Sequence, residues 1–543
     1  MRRRLQGILW ITIALIAVAA PSFAADFSDE QFQLPKQDTS KIQAYFDDSF
    51  EGIGTGISWL AGVEKYPDGR DAKADLCRSV SDSACAKYSI FKYNSYFPYC
   101  STTIKADCIE TVWAKSEKGN TQITSDGTSS TLAEYVSPRP ELEFSASDFI
   151  PRGAGRSIIK LPGAIHAGGT DQYLVDVRMT GEIIDRKRSG QGEGWGVWDP
   201  DFKVSIQPVK LIKGNYQSER AYISDENHEL RFSGQLLDAT TGSCALIDQG
   251  QCWRTYAFPA GFTFGLNLKI ATPIYGWLHG RVQVDQFSSV KTGAIQGLSI
   301  SGKPSSVPIA GGAQVNSAVN QKMKADLKLL DGWAYYYTAR DGTFALERFI
   351  GFEPLIGDKA LASPQLWNFR NIKKTEFNEM GLEAAKCVVK YQNIAGYVST
   401  DATTYSSGPP KFNPVEKSLD YRVASPHFQR DGSVTKGNYS LAVRKEIAKC
   451  IYGVSELPRS ATVSVISEGG VSSVATSVFN ADDEWIYLKA NNFSYSAPTI
   501  RVKLSDQPVT AAVPKKASIS CVKGKMVKKF TSTKCPAGYK KAE

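Results

Sequence analysis

Hydrophobic and polar residues alternate along several short stretches of the chain. Strict alternation puts every second side chain on one face of an extended strand, so each stretch predicts a half-buried β-strand. The stretches with this pattern are 173–181, 202–206, 262–270, 461–465, 474–478, 485–488 and 500–504. Turns rich in glycine and proline separate them from shorter apolar stretches at 230–237, 281–284 and 298–301. We therefore predict a mainly β fold of antiparallel β-sandwich domains with a few short helices.

Helical patterns are fewer. Residues 314–330, 379–388 and 439–451 are predicted helices, the last because its apolar residues lie largely on one side. The segment 122–140 is rich in Ser, Thr and Pro and predicts a loop or boundary, and 408–414 predicts a second loop. The four predicted strands between residues 461 and 504 indicate a compact terminal sheet.

The N-terminus has the pattern of a secretory signal peptide. Three arginines precede an apolar run, Ile8–Ala20, and a Ser-Phe-Ala sequence ends at Ala24. That run is too short to cross about 30 Å of hydrocarbon as a helix, and no later stretch is long enough. We expect cleavage near Ala24, a secreted or cell-envelope location, and a mature chain without a transmembrane helix.

The positive charge is distributed unevenly along the chain. The whole sequence carries +9, and removal of the signal peptide leaves +6. Residues 515–543 hold nine lysines against one acid, whereas residues 25–514 hold 52 basic and 54 acidic residues. The basic charge is therefore local to a C-terminal module on a slightly acidic body.

Ten cysteines in an exported chain predict disulfides. Three pairs share one spacing, which favours the local bridges 77–85, 100–108 and 244–252, and leaves 387–450 and 521–535 as further pairs. A nested arrangement, 77–108 with 85–100, has equally plausible spacing. A zinc site is disfavoured because no closely spaced Cys or His pair accompanies them. The predicted disulfide residues are Cys77, Cys85, Cys100, Cys108, Cys244, Cys252, Cys387, Cys450, Cys521 and Cys535.

Composition shifts predict five segments. They are a signal peptide at 1–24, a Cys- and aromatic-rich region at 25–140, a β-sandwich domain at 141–310, a second β-rich domain at 311–510, and a Lys-rich bridged module at 511–543.

Two stretches resemble a family of secreted actinobacterial proteins. Cys521-Val-Lys-Gly-Lys, continued by Cys535-Pro-Ala-Gly-Tyr-Lys, resembles a C-terminal module found on exported proteins of that group. The run 424–453, followed by 497–504, is similar to the C-terminal half of large proteins of the group, and 276–281 shares their pattern. The resemblance implies export and implies no catalytic, cofactor-binding or metal-binding residue.

Motifs for catalysis and nucleotide binding are absent from the sequence. The glycine cluster 190–196 lacks the Lys and the following helix of a phosphate loop, so we predict a hairpin tip, and 52–56 fails the same test. No G-x-S-x-G elbow or Ca²⁺ loop occurs. His427 is predicted to be structural. His279, near Trp277 and Arg281, is the one histidine in an aromatic and basic setting. We predict no cofactor and favour a non-enzymatic protein.

Carbohydrate chemistry remains an alternative. Glycoside hydrolysis needs two nearby carboxylates, which Glu182 with Asp185, or Glu193 with Asp199, could supply. Trp195 and Trp198 are candidate glycan-stacking residues, although either could simply cap a core.

The C-terminal lysines are candidate contacts for an anionic surface. A bridge between Cys521 and Cys535 would hold them in a small hairpin that turns near Gly524. Such clusters attract anionic polymers with a strength that salt reduces, but they are often only solubilising. Nucleic acid is a poor partner for an exported chain without a reader motif. The candidate lysines are Lys523, Lys525, Lys528, Lys529 and Lys534.

These features predict an exported, non-enzymatic envelope or extracellular protein with a structural, adhesive or binding role, retained electrostatically by its C-terminal module. Anionic envelope polymers or glycans are the expected partners. The alternative is a secreted glycan-binding or glycan-hydrolysing protein.

Overall fold

A computed structural model describes most of the chain between residues 41 and 505 and three short strands beyond it. The described residues are 41–48, 56–119, 121–128, 131–147, 149–218, 220–224, 229–233, 244–315, 334–372, 374–389, 391, 393–458, 460–466, 472–474, 476–482, 484–495, 499–505, 519–523, 526–530 and 540–541. The predicted signal peptide and Lys525, Lys534 and Cys535 lie outside them.

The described residues are mainly β, as predicted. The first strands are β1 (Lys41–Asp47), β2 (Trp59–Lys65), β3 (Asp71–Cys77), β4 (Ile90–Tyr96), β5 (Cys108–Ser116), β6 (Gln122–Ser125), β7 (Leu132–Val136), β8 (Arg156–Lys160), β9 (Gln172–Asp185), β10 (Trp195–Lys213), β11 (Arg220–Ile223) and β12 (Leu230–Ser233). The central strands are β13 (Cys244–Asp248), β14 (Gln251–Thr255), β15 (Phe262–Ile270), β16 (Gly276–Gly280), β17 (Val282–Thr292), β18 (Ile295–Ser306), β19 (Ala310–Val315), β20 (Ala334–Thr338), β21 (Gln365–Leu366), β22 (Asn368–Ile372) and β23 (Ile394–Thr400). The last are β24 (Thr404–Tyr405), β25 (Lys411–Asn413), β26 (Ser418–Ala424), β27 (Lys436–Arg444), β28 (Ser460–Ile466), β29 (Ser472–Val474), β30 (Thr476–Ala481), β31 (Trp485–Ser494), β32 (Thr499–Ser505), β33 (Ile519–Lys523), β34 (Met526–Phe530) and β35 (Lys540–Lys541).

Helices are short and few in the described ranges. The α-helices are α1 (Thr343–Ile356), α2 (Leu382–Val389) and α3 (Lys445–Tyr452), and 3-10 turns lie at Pro140–Leu142, Ala339–Asp341 and Lys374–Met380.

The largest sheet has 15 strands, in the order β3-β2-β4-β9-β10-β22-β16-β23-β27-β31-β30, with β7, β8, β13 and β14 attached at its side. Its strands come from the predicted segments 25–140, 141–310 and 311–510 alike. Strand pairing therefore continues across residues 140 and 310, and the predicted division into domains stays a prediction. Most pairs are antiparallel, but β16 and β23 run parallel, as do β1 and β20.

Two six-stranded sheets face parts of this large sheet. The first has the order β17-β18-β15-β5-β6, with β21 beside β18, and the second the order β24-β26-β32-β28-β29, with β25 beside β26. One core of buried apolar side chains joins the first six-stranded sheet to strands of the large sheet, and another joins strands of the second sheet to the large sheet, α2 and α3. The layers therefore pack as sandwiches, in agreement with the predicted fold class.

Several local predictions were wrong. Residues 439–444 belong to strand β27 and only the following residues form helix α3, because Leu441 and Val443 alternate along a strand whereas Ile447 and Ile451 are one helical turn apart. The segment 122–140 contains β6 and β7, whose exposed positions explain its polar composition. Residues 314–315 end strand β19, and the rest of the predicted helix 314–330 lies outside the described residues.

Two further features differ from the sequence predictions. The strands between residues 460 and 505 do not form one terminal sheet, because β28, β29 and β32 join the second six-stranded sheet while β30 and β31 join the large sheet. The predicted loop 408–414 contains the short strand β25. Helix α1 was missed, although Leu346, Phe349 and Phe352 recur at helical spacing and pack in one core.

Four disulfides confirm the predicted local pairing. Cys77 bonds Cys85, Cys100 bonds Cys108, Cys244 bonds Cys252, and Cys387 on α2 bonds Cys450 on α3. The nested alternative is excluded. Each bridge should contribute about 2–4 kcal/mol by restricting the unfolded chain. The 521–535 bridge lies outside the described residues.

Arg281 is the most buried charged side chain described, with 1% of its surface exposed. It lies between β16 and β17, where the chain passes from the large sheet to the first six-stranded sheet. Its Nε pairs with Asp48, and its Nη1 donates to the carbonyls of Thr400 and Ala402 at 2.8 and 2.6 Å. The guanidinium also lies 4.7 Å from the centre of the Tyr405 ring. One side chain therefore links the N-terminal strand β1, the crossover and the segment after β23.

The ion pair between Arg281 and Asp48 generates a stability prediction. Asp48→Ala leaves a buried guanidinium without its carboxylate and should lower the free energy of unfolding by about 3–5 kcal/mol. The matched control is Glu347→Ala, which removes the partner of Arg422 in a pair of roughly half-exposed side chains and should cost about 1 kcal/mol or less. Urea unfolding followed by tryptophan fluorescence measures both. Equal losses in the two variants would contradict the central role of Arg281.

Candidate functional site

The first six-stranded sheet has one buried and one polar face. Leu266 and Leu268 of β15 point into the core, whereas Asn267 between them is half-buried on the opposite face. Strand β18 alternates in the same way, with Leu298 and Ile300 buried. Because successive side chains of a strand point to opposite faces, the outward residues of β5, β15, β17 and β18 form one surface, here called the polar face.

A tryptophan ring covers a glycine on the polar face. Trp113 of β5 is directly opposite Gly265 of β15. A Cβ atom added at Gly265 would come within 2.1 Å of the Trp113 indole, so the glycine leaves the space that the ring occupies. The indole is only half-buried there. The pairing of a large aromatic ring with a glycine therefore presents a flat apolar surface among polar neighbours.

Hydrogen-bonding side chains form a row beside this ring. The Asn267 amide donates to the Thr111 hydroxyl at 2.7 Å, and the Ser299 hydroxyl donates to the Asn267 carbonyl oxygen at 2.7 Å. Ser301 and Gln286 continue the row on the paired strands β18 and β17. The side-chain contacts fix the orientation of Asn267, so the polar face offers preorganised donors and acceptors.

A second wall comes from β31 of the large sheet. Tyr487, Lys489 and Asn491 alternate with the buried Leu488 and Ala490, so the three half-buried side chains share one face. The Tyr487 hydroxyl is 3.1 Å from the Phe287 carbonyl oxygen of β17, a contact that joins the two walls.

The space between the two walls is a groove with two chambers. The first has a volume of about 620 Å³ and the second about 310 Å³, in the size range of small-molecule sites. Asp285 and Lys489 line both chambers and mark the waist between them. The first chamber is lined by Trp113, Asn267, Tyr397, Asp482 and Tyr487, and the second by Gln283, Asp401, Asn438, Asn491 and Asn492.

Irregular backbone occurs on both walls of the groove. The register of β17 with β18 shifts between Val284 and Gln286, so Asp285 is an extra residue that bulges from the strand. The register of β27 with β31 shifts at Gly437, and Asn492 on the opposite strand has a φ of +60°. Bulges are frequent beside functional sites because they redirect a side chain. Both irregularities lie at residues that line the second chamber.

Asp401 lies in the second chamber and is nearly inaccessible to solvent, with 4% exposure. Burial raises the pKa of its carboxyl, although the Asn438 backbone N–H and side-chain amide donate to it at 2.8 and 2.7 Å and the Tyr495 hydroxyl also donates. These bonds occupy both oxygens of Asp401 and hold β23 against β27. Asp401 therefore shapes the chamber rather than offering a free acid.

Two of the candidate carboxylates, Glu182 and Asp185, take part in ion pairs away from the groove. Glu182 lies 2.8 Å from Lys65, and Asp185 lies 3.1 Å from Arg188. Glu193 is exposed, and the side chain of Asp199 lies outside the described residues. The glycine cluster 190–196 joins the antiparallel strands β9 and β10, as predicted for a hairpin tip.

The candidate tryptophans are not among the residues that line the groove. Trp195 is half-buried, with its ring centre 6.1 Å from that of Phe91, and packs against the main core. The side chain of Trp198 lies outside the described residues. Trp113 was not among the predicted residues. Its place on an alternating strand was the available signal, but the register that puts it opposite Gly265 was not predictable.

The histidines with described side chains have structural partners. His279 is buried and stacks on Tyr405 with ring centres 3.7 Å apart, and His166 lies 2.8 Å from the Thr170 hydroxyl. His427 contacts Asp358 through Nδ1 at 2.7 Å, in keeping with its predicted structural role. Across the described ranges, no three His, Cys, Asp or Glu side chains lie close enough to hold a metal ion.

The C-terminal strands form a small sheet. β33 pairs with β34 so that Lys523 is opposite Met526, and the predicted turn at Gly524 lies outside the described residues. Lys528 and Lys529 belong to β34. Within the part of the chain that the structure describes, no helix is long and apolar enough to cross a membrane.

His279 generates a pH prediction. Burial, followed by the positive charges of Arg281 and Arg370, lowers the pKa of His279 well below its ordinary value of 6.5. In acid, His279 is therefore protonated in the unfolded chain but stays neutral in the folded chain. The free energy of unfolding falls as the pH drops below about 6.5. The loss between pH 6.5 and 5 should reach about 2 kcal/mol at most, the limit set by 1.5 pH units. His279→Phe, which keeps a ring beside Tyr405, should flatten this part of the thermal unfolding profile.

His427→Gln is the control for this measurement, because it removes a histidine from the surface. An identical pH profile in the wild type and His279→Phe would show that His279 does not cause the acid sensitivity.

Comparison with protein-family models finds no match for this chain, and a search of curated protein sequences finds no similar protein. The resemblance to secreted actinobacterial proteins stays a prediction. The site is therefore defined by its geometry: a groove between two sheets, with an aromatic platform, oriented amides and hydroxyls, and opposite charges at its waist.

Proposed function

We propose that this chain is an exported, non-enzymatic envelope or extracellular protein that binds a glycan in the groove. The observation that carries the proposal is the flat indole of Trp113 beside the row of hydrogen-bonded polar side chains. A sugar ring has an apolar face of C–H groups and a rim of hydroxyls. The aromatic platform suits the first, and the amides and hydroxyls of the polar face suit the second.

The form of the groove supports a polymeric ligand. The two chambers share residues at the waist, so one extended molecule can occupy both. The four disulfides support an oxidising, extracellular environment. Both features agree with a binding or adhesive role at the cell envelope.

The hydrogen bonds that the groove carboxylates accept favour binding over hydrolysis. Asp482 accepts hydrogen bonds from the Tyr487 hydroxyl at 2.9 Å and from the backbone N–H groups of Glu484 and Trp485 at 2.9 and 2.7 Å. These donors occupy the oxygens that a general acid or nucleophile would need free. Asp285 is exposed on its bulge and accepts from the Thr263 hydroxyl at 3.3 Å.

The Lys-rich C-terminal module is proposed to retain the protein on an anionic envelope polymer. Its support is the concentration of nine lysines in residues 515–543 beside a body with slightly more acidic than basic residues. Because the groove and the module are far apart in sequence, retention and glycan binding can be tested separately.

The glycan proposal predicts a specific loss of affinity. Trp113→Ala removes the stacking platform and should weaken binding to a panel of neutral glucose, mannose and N-acetylglucosamine hexasaccharides about tenfold, or about 1.4 kcal/mol. Isothermal titration calorimetry measures the change. Trp195→Ala is the matched control, since it removes a half-buried tryptophan outside the groove. Absence of binding by the wild type, or equal affinity in Trp113→Ala, would refute the proposal.

The retention proposal predicts salt-dependent release. Full-length protein should leave isolated cell envelopes only as the salt concentration rises, because salt screens contacts between lysines and anionic polymers. A chain truncated after Pro514 should be released already at low salt. Immunoblots of the extracts measure both, and a variant with Lys523, Lys528 and Lys529 changed to Gln tests charge alone. Release of all three proteins at the same salt concentration would contradict electrostatic retention.

A further inference from the structure

We infer that the groove selects uncharged glycans and that Asp285 and Lys489 determine this selectivity. The inference rests on the proposed function and specifies its ligand. Asp285 belongs to the first six-stranded sheet and Lys489 to the large sheet, and both residues line both chambers. A polymer that passes from one chamber to the other must therefore pass both charges.

Within the described ranges, neither charge at the waist takes part in a close ion pair. Among the described residues, neither Asp285 nor Lys489 has an ion-pair partner within 4 Å. Lys303, which also lines the second chamber, is different because it pairs with Glu117. The waist thus presents one acceptor carboxylate and one donor ammonium from opposite walls, with space between them.

A hydroxyl group fits this arrangement better than a charged group does. A hydroxyl can donate to the carboxylate and accept from the ammonium, and hydrogen bonds to ionised partners are the stronger kind. A carboxylate or phosphate on the ligand would meet the negative charge of Asp285, and an amine would meet the positive charge of Lys489. Like charges in contact at an interface reject the wrong partner.

The first chamber reinforces the rejection of acidic ligands. Asp482 adds a second carboxylate to the first chamber and is fixed in place by Tyr487 and two backbone N–H groups. The second chamber adds neutral amides from Asn438, Asn491 and Asn492. Amides donate and accept without charge, so they suit hydroxyls and acetamido groups alike.

The β-bulge in β17 places the carboxylate of Asp285 at the waist of the groove. Without the extra residue, β17 would continue its regular alternation with β18. The bulge also interrupts the regular edge of β17, which disfavours addition of a peptide strand there. The strand edge is thus suited to side-chain recognition of a small polar ligand rather than to pairing with another chain.

The test uses two matched pairs of oligosaccharides and the whole mature chain, residues 25–543. One pair is a neutral galactose hexamer and its acidic counterpart, hexagalacturonate. The other is the neutral hexamer of N-acetylglucosamine and its deacetylated, amine-bearing form. Calorimetry at physiological salt should show at least tenfold tighter binding of the neutral member of whichever pair the groove accepts.

Two variants should relax this selectivity in opposite directions. Asp285→Asn should weaken binding of the neutral hexamer about tenfold. It should also lower the ratio of affinities for the neutral and the acidic hexamers. Lys489→Met should lower the ratio of affinities for the neutral and the amine-bearing hexamers. It should leave the ratio for the neutral and the acidic hexamers as in the wild type. Glu110→Gln, which changes an exposed residue paired with Lys269 on the same sheet, is the control and should leave both ratios unchanged.

The outcomes separate this inference from the proposed function. Tighter binding of a charged hexamer that still depends on Trp113 would overturn the selectivity and leave glycan binding intact. Unchanged ratios in both waist variants would overturn the roles of Asp285 and Lys489. Failure of all four hexamers and of the neutral panel to bind would refute the proposed function and the inference with it.

Discussion

The burial of the Arg281 guanidinium is the constraint on which the surrounding structure depends. A buried charge is tolerated only when paired and hydrogen-bonded, and here the partners come from two segments of the chain that are far from Arg281 in sequence. Asp48 arrives with the N-terminal strand, the two carbonyl acceptors follow β23, and Tyr405 covers the guanidinium. Arg444 is a second buried arginine that donates to backbone carbonyls on different sheets, those of Ile394 and Ser289. Buried arginines thus fix the large sheet against the first six-stranded sheet.

This fixed relation between sheets is also what creates the groove. Its walls are faces of two sheets, so its width depends on how those sheets pack rather than on a loop. The contact between Tyr487 and β17 closes one side, and the bulge at Asp285 opens space beside it. A site built on strands keeps donors and acceptors in place before the ligand arrives, which reduces the entropy cost of binding.

The sequence predicted the fold class, the strand-rich segments and the local disulfides, because alternation and cysteine spacing act over short distances. Residues 439–444 were predicted to be helical because a buried strand is followed directly by a helix there. The two-residue repeat of the strand and the helical repeat therefore overlap in one short stretch of sequence. The groove could not be predicted from the sequence for a different reason. Trp113 and Gly265 are neighbours only through strand register, and Lys489 joins them from another sheet. Trp195 and Trp198, the predicted glycan-stacking residues, belong to strand β10 instead.

The position of β1 has a consequence for how the chain folds. The strand lies between β19 and β20, so residues near 45 pair with residues near 311 and 336. Strand β1 therefore cannot complete its sheet until almost 300 more residues have been synthesised. Contacts of such sequence separation form slowly, whereas bridges between cysteines eight residues apart can close early. This order favours closure of the sheet around β1 late in folding, after the local bridges have formed.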